Sequence, residues 1–92
     1  MNVELRLFAT FRESVGQKTI HREFAEGATV EEVLQSLESE FEDLDGEFVQ
    51  DGEIRPQVNV LKNGREVLHL DGLATPIEDG DTISIFPPVA GG

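Results

Sequence analysis

The sequence predicts an α+β roll in which one main helix lies across a mixed sheet of four to five strands. Short segments rich in strand-forming residues recur along the chain, several of them with apolar and polar residues in alternation. A single segment instead repeats its apolar residues with the period of a helix. The length of 92 residues suits one domain. We expect that domain to span residues 1–86 and a flexible tail to span residues 87–92.

The first two strands are predicted on either side of Gly16. Residues 3–8 alternate apolar and charged side chains, which is the period of a half-buried strand. Residues 18–24 are rich in strand formers, and residues 12–16 between the two segments indicate a turn or a single helical turn. We therefore expect an antiparallel pair joined near Gly16.

The main helix is predicted to begin after Thr29. Thr29 and Glu32 have the spacing of a capping box, in which the threonine caps the helix and the glutamate reaches back. The apolar residues that follow recur at helical spacing, so they form one stripe that can pack against a sheet. This stripe consists of Val30, Val33, Leu34, Leu37 and Phe41.

The second half of the chain supplies another hairpin. Residues 43–55 are acidic and contain glycine, which indicates a loop. Residues 57–62 form the next predicted strand. Asn63 and Gly64 follow, and this dipeptide favours a type I′ turn that returns the chain along residues 65–68.

The last strand is predicted over residues 82–86, after a tight turn at residues 78–81. The resulting order is strand, strand, helix, strand, short strand, strand, without repeats or linkers. That is the order of the β-grasp, or ubiquitin-like, roll.

Composition excludes several classes of function. The chain has 7 Lys and Arg against 19 Asp and Glu, a net charge of −12, which argues against direct binding of DNA or RNA. It has no cysteine, and its two histidines, His21 and His69, are not spaced as metal ligands, so we expect no metal site. Apolar runs are too short to span a membrane and no export leader is visible, so a cytoplasmic location is expected.

Much of the negative charge lies in residues 23–54, which contain twelve acids and neither Lys nor Arg. One interpretation is a docking surface for a basic partner, or a mimic of nucleic acid. The other, which we favour, is a solvated acidic face in a cell rich in salt, where ions screen the self-repulsion. The part from residue 38 to residue 55 has no role that its sequence indicates.

Three predicted strands each end with a large apolar residue on the outer face. By alternation, Phe8, Leu61 and Phe86 point away from the core. A bend or bulge at each strand end is one explanation, because it would tuck the residue back. We favour a contiguous patch that binds a partner, with Arg6 at its polar rim.

The predicted tail carries the chemistry that the folded part lacks. Pro87 and Pro88 end the sheet and favour an extended path, and Gly91 and Gly92 have no side chain. Such an end can thread into a narrow active site of another enzyme. That enzyme can couple a nucleotide to the carboxylate, which provides a leaving group. A sulfur or amine nucleophile can then attack the acyl carbon. The alternative is an inert, frayed end.

These motifs together resemble the MoaD/ThiS family of ubiquitin-like sulfur carriers, and in particular the small archaeal modifier proteins of haloarchaea. The resemblance extends over nearly the whole chain, and its most specific part is the ending Phe-Pro-Pro-Val-Ala-Gly-Gly. Its other parts are Leu7-Phe8-Ala9, the helix after Thr29, Val58-Asn59-Val60 and Asp79-Gly80-Asp81.

The resemblance implies that an E1-like enzyme adenylates Gly92 with ATP and Mg²⁺, and that sulfur then converts the acyl-adenylate to a thiocarboxylate. The sulfur is delivered to a pterin precursor by a molybdopterin-synthase large subunit, of which this chain would be the small subunit, or to transfer RNA. The same activated end is alternatively joined to lysine amines of target proteins.

The resemblance also implies a contact surface at Phe8 and Phe86, with Leu61 or Lys62 as its third position. Lys18 and Lys62 are the candidate acceptor lysines if the protein modifies itself, although we favour the interpretation that each is an ordinary surface lysine. No catalytic residue and no bound cofactor are implied, because the chain acts as an activated co-substrate and not as an enzyme. The rival hypothesis is a non-covalent β-grasp interaction module with an inert tail.

Overall fold

The computed structural model describes residues 1–88, which contain two α-helices, seven strands and three short 3-10 helices. None of these helices has the length and apolar character that a membrane span requires. In chain order the helices and strands are β1 (Asn2–Leu7), α1 (Ala9–Val15), β2 (Thr19–Glu23), α2 (Val30–Glu40), β3 (Val49–Gln50), β4 (Glu53–Ile54), β5 (Asn59–Lys62), β6 (Arg65–Glu66) and β7 (Thr82–Phe86).

Five of the strands form one mixed sheet in the order β2-β1-β7-β5-β6. β1 pairs antiparallel with β2 and parallel with β7, and β5 pairs antiparallel with both β7 and β6. The predicted roll, its mixed sheet and its main helix are therefore confirmed. The type I′ turn is also confirmed, since Asn63 and Gly64 have φ angles of 50° and 85°.

The inner face of the sheet and α2 enclose a core of aliphatic side chains. Alternate residues of β1 and β7 are completely buried, as their sequence pattern predicts. Six further residues enter the core from segments outside the sheet and α2, namely Phe11, Leu44, Phe48, Val58, Val67 and Ile77. The most buried members of the core are Val3, Leu5, Leu7, Val30, Val33, Leu34, Leu37, Leu44, Phe48, Val67, Ile83 and Ile85.

α1 is longer than the predicted single turn at residues 12–16. It follows β1 directly and ends at Gly16, whose φ of 86° is left-handed and whose N–H donates to the Arg12 carbonyl. The helix buries one side chain, Phe11. Seven residues with a single buried position give no measurable helical period, which is why the sequence did not reveal the element.

α2 begins after Thr29, as predicted, but the capping box is wrong. The Thr29 side chain makes no cap hydrogen bond. The Val30 N–H instead donates to the Thr75 carbonyl at 2.9 Å, and Thr29 lies in a β-bridge opposite Pro76. A neighbouring backbone segment thus satisfies the helix start, which leaves the threonine hydroxyl and Glu32 without a capping role.

The acidic stretch is more ordered than the predicted loop at residues 43–55. It forms a 3-10 helix (Glu42–Leu44) and the hairpin of β3 and β4. Leu44 and Phe48 are fully buried, and the Phe48 ring meets Phe11 edge-on with centroids 4.9 Å apart. Two apolar anchors hold the segment on the core while its acids face water.

Glu38 fastens this hairpin to α2. One of its carboxylate oxygens accepts hydrogen bonds from the backbone N–H groups of Phe48 and Val49, at 2.9 and 3.2 Å. Hydrogen bonds to a charged acceptor are about twice as strong as neutral ones. At least one acid of residues 38–55 therefore has a structural role.

We expect Glu38→Ala to lower the free energy of unfolding by about 1–2 kcal/mol, because two partly buried N–H groups lose their acceptor. Urea denaturation measures this change. Glu32→Ala, an exposed position on the same helix, is the matched control and should change stability by less than about 0.5 kcal/mol. Equal effects of the two substitutions would contradict the assigned role of Glu38.

An ion pair joins β2 to the end of α2. Arg22 Nε donates to Glu40 Oε1 at 2.9 Å, and a second nitrogen of the guanidinium contacts the other oxygen. This hydrogen bonding holds the pKa of Glu40 below its usual value. Both side chains are more than one third exposed, at 36% and 37%, so solvent screens the pair.

The pair stabilises the fold while Glu40 is ionised, and this contribution is lost as the pH falls through the lowered pKa. Glu40→Gln should therefore reduce the free energy of unfolding at pH 7 by at most about 1 kcal/mol. The difference from the parent chain should shrink as the pH falls below the ordinary glutamate pKa of about 4.3 and should vanish below the lowered pKa of Glu40. Denaturation curves across this range test the sign, and a difference that grows in acid would refute it.

Beyond β7 the structure shows only the start of the predicted tail. Pro87 and Pro88 leave the sheet, as expected for residues that cannot donate to a strand ladder. Residues 89–92, including the predicted Gly91 and Gly92, lie outside the described residues.

Candidate functional site

The strand register places the three predicted patch residues on one face of the sheet. Asn59 pairs with Phe86, and Leu61 pairs with Ser84. Ser84 also pairs with Arg6 of β1. Because side chains at paired positions point to the same face, these residues form two neighbouring rows on the outer side.

Phe8 and Phe86 are in direct contact at the ends of β1 and β7. Their rings stack with centroids 4.1 Å apart and an angle of 11°. Both side chains are half-buried, and the Phe8 N–H donates to the Ile85 carbonyl at 3.3 Å. The two rings cover part of each other while leaving an apolar surface in water, which is the usual character of an interface anchor.

A groove of about 420 Å³ adjoins the stacked rings. We name it the exit groove, because the first two residues after β7 form part of its wall. The sequence did not identify Ala9, Thr10 or Asn59 as site residues. Asn59 is two positions before Leu61 on the same strand, so its side chain points to the same outer face. The exit groove is lined by Phe8, Ala9, Thr10, Asn59, Phe86, Pro87 and Pro88.

Leu61 lies one row away from the aromatic pair, on the same face and half-buried. Successive outward residues of a strand are about 7 Å apart. The row of Leu61 includes Arg6, whose Nε bonds Glu4 Oε2 at 2.7 Å. Arg6, with a smaller contribution from His21, holds the pKa of Glu4 below its usual value. The rim of the patch therefore carries charges of both signs.

Lys62 lies on the opposite face from Leu61. It pairs with Ile83, which is fully buried. Its ammonium donates to the Pro76 carbonyl at 2.8 Å and lies 3.4 Å from Glu78 and 3.6 Å from Asp81. Of the two residues predicted for the third contact position, the geometry puts Leu61 on the patch face.

Lys18 directly precedes β2, so it lies on the side of the aromatic pair that is opposite to β5 and Leu61. Its ammonium is 5.8 Å from the centroid of the Phe8 ring, and the side chain is exposed. His21, on β2, lies 3.4 Å from Glu4. Among residues 1–88 no three His, Cys, Asp or Glu side chains converge closely enough to hold a metal ion.

The stacking of Phe8 on Phe86 should appear as an energetic coupling. In a double-mutant cycle of Phe8→Ala and Phe86→Ala, we expect the combined loss of stability to differ from the sum by about 0.5–1.5 kcal/mol. Phe8→Ala combined with Leu68→Ala is the control, because Leu68 is 59% exposed and lines a different groove. A coupling as small as that of the control pair would mean that the stack contributes nothing.

Comparison with known proteins identifies the family to which this chain belongs. The chain matches the ThiS family over residues 5–92. It is 62% identical to small archaeal modifier protein 3 of Haloferax volcanii over 100% of both chains. It superposes on the crystal structure of SAMP1 from Haloferax volcanii with a TM-score of 0.85, at 33% identity and full coverage of both chains.

A third relative is found in a complex. The structure of the BexX/CysO complex from Amycolatopsis orientalis matches with a TM-score of 0.81 and 32% identity, covering 98% of this chain and 99% of that one. The relatives confirm the predicted resemblance and the predicted class, a ubiquitin-like modifier and sulfur carrier that is not itself an enzyme. By sequence and by fold, the chain belongs to the ThiS family and has the β-grasp fold of the small archaeal modifier proteins.

Proposed function

We propose that the reactive atom of this carrier is the carboxyl carbon of Gly92, activated by a separate E1-like enzyme. The carboxylate attacks the α-phosphate of ATP with Mg²⁺, releases pyrophosphate and becomes an acyl-adenylate. Adenylation is required because a free carboxylate has no leaving group that an amine or a sulfur nucleophile can expel. The family match, which extends through residue 92, supports this role.

The observation that carries the proposal is the position of the exit groove. Phe8 and Phe86 form its apolar floor, and Pro87 and Pro88 continue from it toward the tail. A partner that grips the stacked rings thereby fixes the point from which the tail departs. Six residues in an extended path span about 19 Å, which is enough to reach a buried active site of that partner.

Docking and chemistry are thus separated along the chain. A rigid aromatic pair supplies contact area with little loss of conformational entropy. Glycines at positions 91 and 92 add no Cβ that would clash in a narrow channel. The chain needs no catalytic side chain of its own, because its partner supplies the nucleotide and the metal ion.

Two outcomes follow from one activated intermediate. A sulfide-level sulfur nucleophile can attack the acyl carbon and displace AMP to give a thiocarboxylate, which a molybdopterin-synthase large subunit or a transfer RNA thiolation system would consume. A lysine amine of a target protein can instead displace it to give an isopeptide bond. We propose both roles for this chain, with the E1-like enzyme as their common first partner.

We expect the conversion of the Gly92 carboxylate to a thiocarboxylate, here called charging, to require both the tail and the patch. With an E1-like enzyme from the same cell, ATP, Mg²⁺ and a sulfur donor, the intact mass of the chain should change by the replacement of one oxygen with sulfur. Deletion of Gly91 and Gly92 should abolish the change while the fold is retained. Phe86→Ala should raise the KM for the chain about tenfold or more, the loss typical of an interface anchor.

Leu68→Ala is the matched control for the patch, since it removes an apolar side chain that is 59% exposed at a different groove. It should leave the KM unchanged. If the chain without its two terminal glycines kept every cellular role, the inert-tail module would be correct. If Phe86→Ala were charged like the parent chain, the patch would have no part in activation.

A further inference from the structure

A second groove, of about 430 Å³, shares no lining residue with the exit groove. Leu68 lies in it and, at 59% exposure, is the most exposed large apolar side chain of residues 1–88. A single exposed leucine is common on protein surfaces, but one that lines a groove of this size can be covered by an apolar side chain of a partner. We name this groove the side groove, and its lining includes Glu53, Ile54, Leu68, Asp71 and Leu73.

Two carboxylates, those of Glu53 and Asp71, line the side groove together with Leu68. Both acidic residues are exposed, and neither forms a salt bridge with a Lys, Arg or His of residues 1–88. Arg65 lines an adjacent groove that also includes Asp71, so the acidic character is strongest at Glu53. A merely solvated acidic face needs no apolar surface beside its carboxylates. The side groove therefore combines an apolar contact with negative charges that the described part of the chain does not neutralise.

Both walls of the side groove are fixed by the fold. One wall is the hairpin of β3 and β4, which Glu38 fastens to α2. The other wall is formed by two 3-10 helices, Val67–His69 and Gly72–Ala74. The link between these helices is held by the Asp71 N–H, which donates to Thr75 Oγ1 at 3.1 Å. A surface that is already formed loses little conformational entropy when a partner binds.

We propose that the side groove binds a segment of a partner protein in which an apolar residue is flanked by lysines or arginines. The apolar side chain covers Leu68, and the cations lie beside Glu53 and Asp71. A second copy of this chain is a poor occupant, because each copy carries a net charge of −12 and the two repel each other. The same charge attracts a basic partner and disfavours an acidic one. This inference does not depend on the activation of Gly92.

The position of the side groove separates this partner from the one that contacts the stacked rings. Phe8 and Phe86 lie at the ends of the two central strands, whereas the side groove lies between β4 and the segment that follows the edge strand β6. The two partners therefore do not compete for the same residues. A protein held in the side groove would stay beside the carrier while another enzyme contacts the rings, which raises its effective concentration there.

The test titrates the full chain, labelled with ¹⁵N, with the peptide acetyl-Lys-Arg-Leu-Leu-Arg-Lys-amide. The buffer contains about 1 M KCl, in which the Debye length is about 3 Å, so the long-range attraction of the net charge is screened. The peptide should shift the backbone amide signals of Glu53, Leu68 and Asp71 and leave those of Phe8 and Phe86 unchanged. Replacing its leucines by serine, or its cations by glutamate, should raise the Kd at least about tenfold.

Variants of the chain test the same contacts from the other side. Leu68→Ser should raise the Kd of the original peptide at least about tenfold, because it removes the apolar contact. Glu53→Gln combined with Asp71→Asn should raise the Kd about fivefold or more. The matched control combines Glu13→Gln with Glu26→Gln, which changes the net charge equally at exposed acids outside the side groove. It should alter the Kd by less than about twofold.

Three results would overturn the proposal. The first is a peptide that causes no shifts, and the second is a set of shifts that maps to the exit groove or spreads over the whole acidic surface. The third is an equal Kd for the two double variants, which would mean that net charge alone attracts the peptide. Because no activating enzyme takes part, failure of such an enzyme to charge Gly92 would refute the proposed activation and leave this result unchanged.

Discussion

The parallel pairing of β1 with β7 in the middle of the sheet is the constraint on which the rest of the structure depends. Leu5 lies beside Ile83 and Leu7 beside Ile85, and all four side chains are completely buried. Parallel neighbours end at the same edge, so the next residue of each strand, Phe8 and Phe86, meets the other there. Burial on one face of the sheet thus determines the patch on the other.

The same pairing explains why the site lies beside the tail. A parallel connection requires a long crossover, and here the crossover contains β2, α2 and the acidic hairpin. These elements close the core, and they leave the end of β7 free to continue into Pro87 and Pro88. The fold is therefore organised around one strand, β7, that lies at the centre of the sheet and leads directly into the C-terminal segment.

Much of this architecture was predictable because its signals are local. Alternation identified β1 and β7, the apolar stripe identified α2, and Asn63 with Gly64 identified a turn that needs two positive φ angles. The outward parity of Phe8, Leu61 and Phe86 was likewise a consequence of period two. Each of these features depends on residues a few positions apart.

The features that sequence reasoning missed depend on distant contacts. The Thr29 cap is replaced by a backbone hydrogen bond to residue 75, which lies far along the chain. Residues 43–55 were predicted to be a loop because acids and glycines dominate them, and the contact of Phe48 with Phe11 and the hydrogen bond of its N–H to Glu38 explain the hairpin instead. The stacking of the two patch phenylalanines required the pairing of the first strand with the last.

The central position of β7 has a mechanical consequence. A partner that pulls on residues beyond Pro88 applies its load along β7, which is hydrogen-bonded on one side to β1 and on the other to β5. Interstrand hydrogen bonds lie across the strand direction, so this load shears both ladders at once and cannot open them one rung at a time. An enzyme that draws the end of the chain into its active site can therefore apply tension without unravelling the domain.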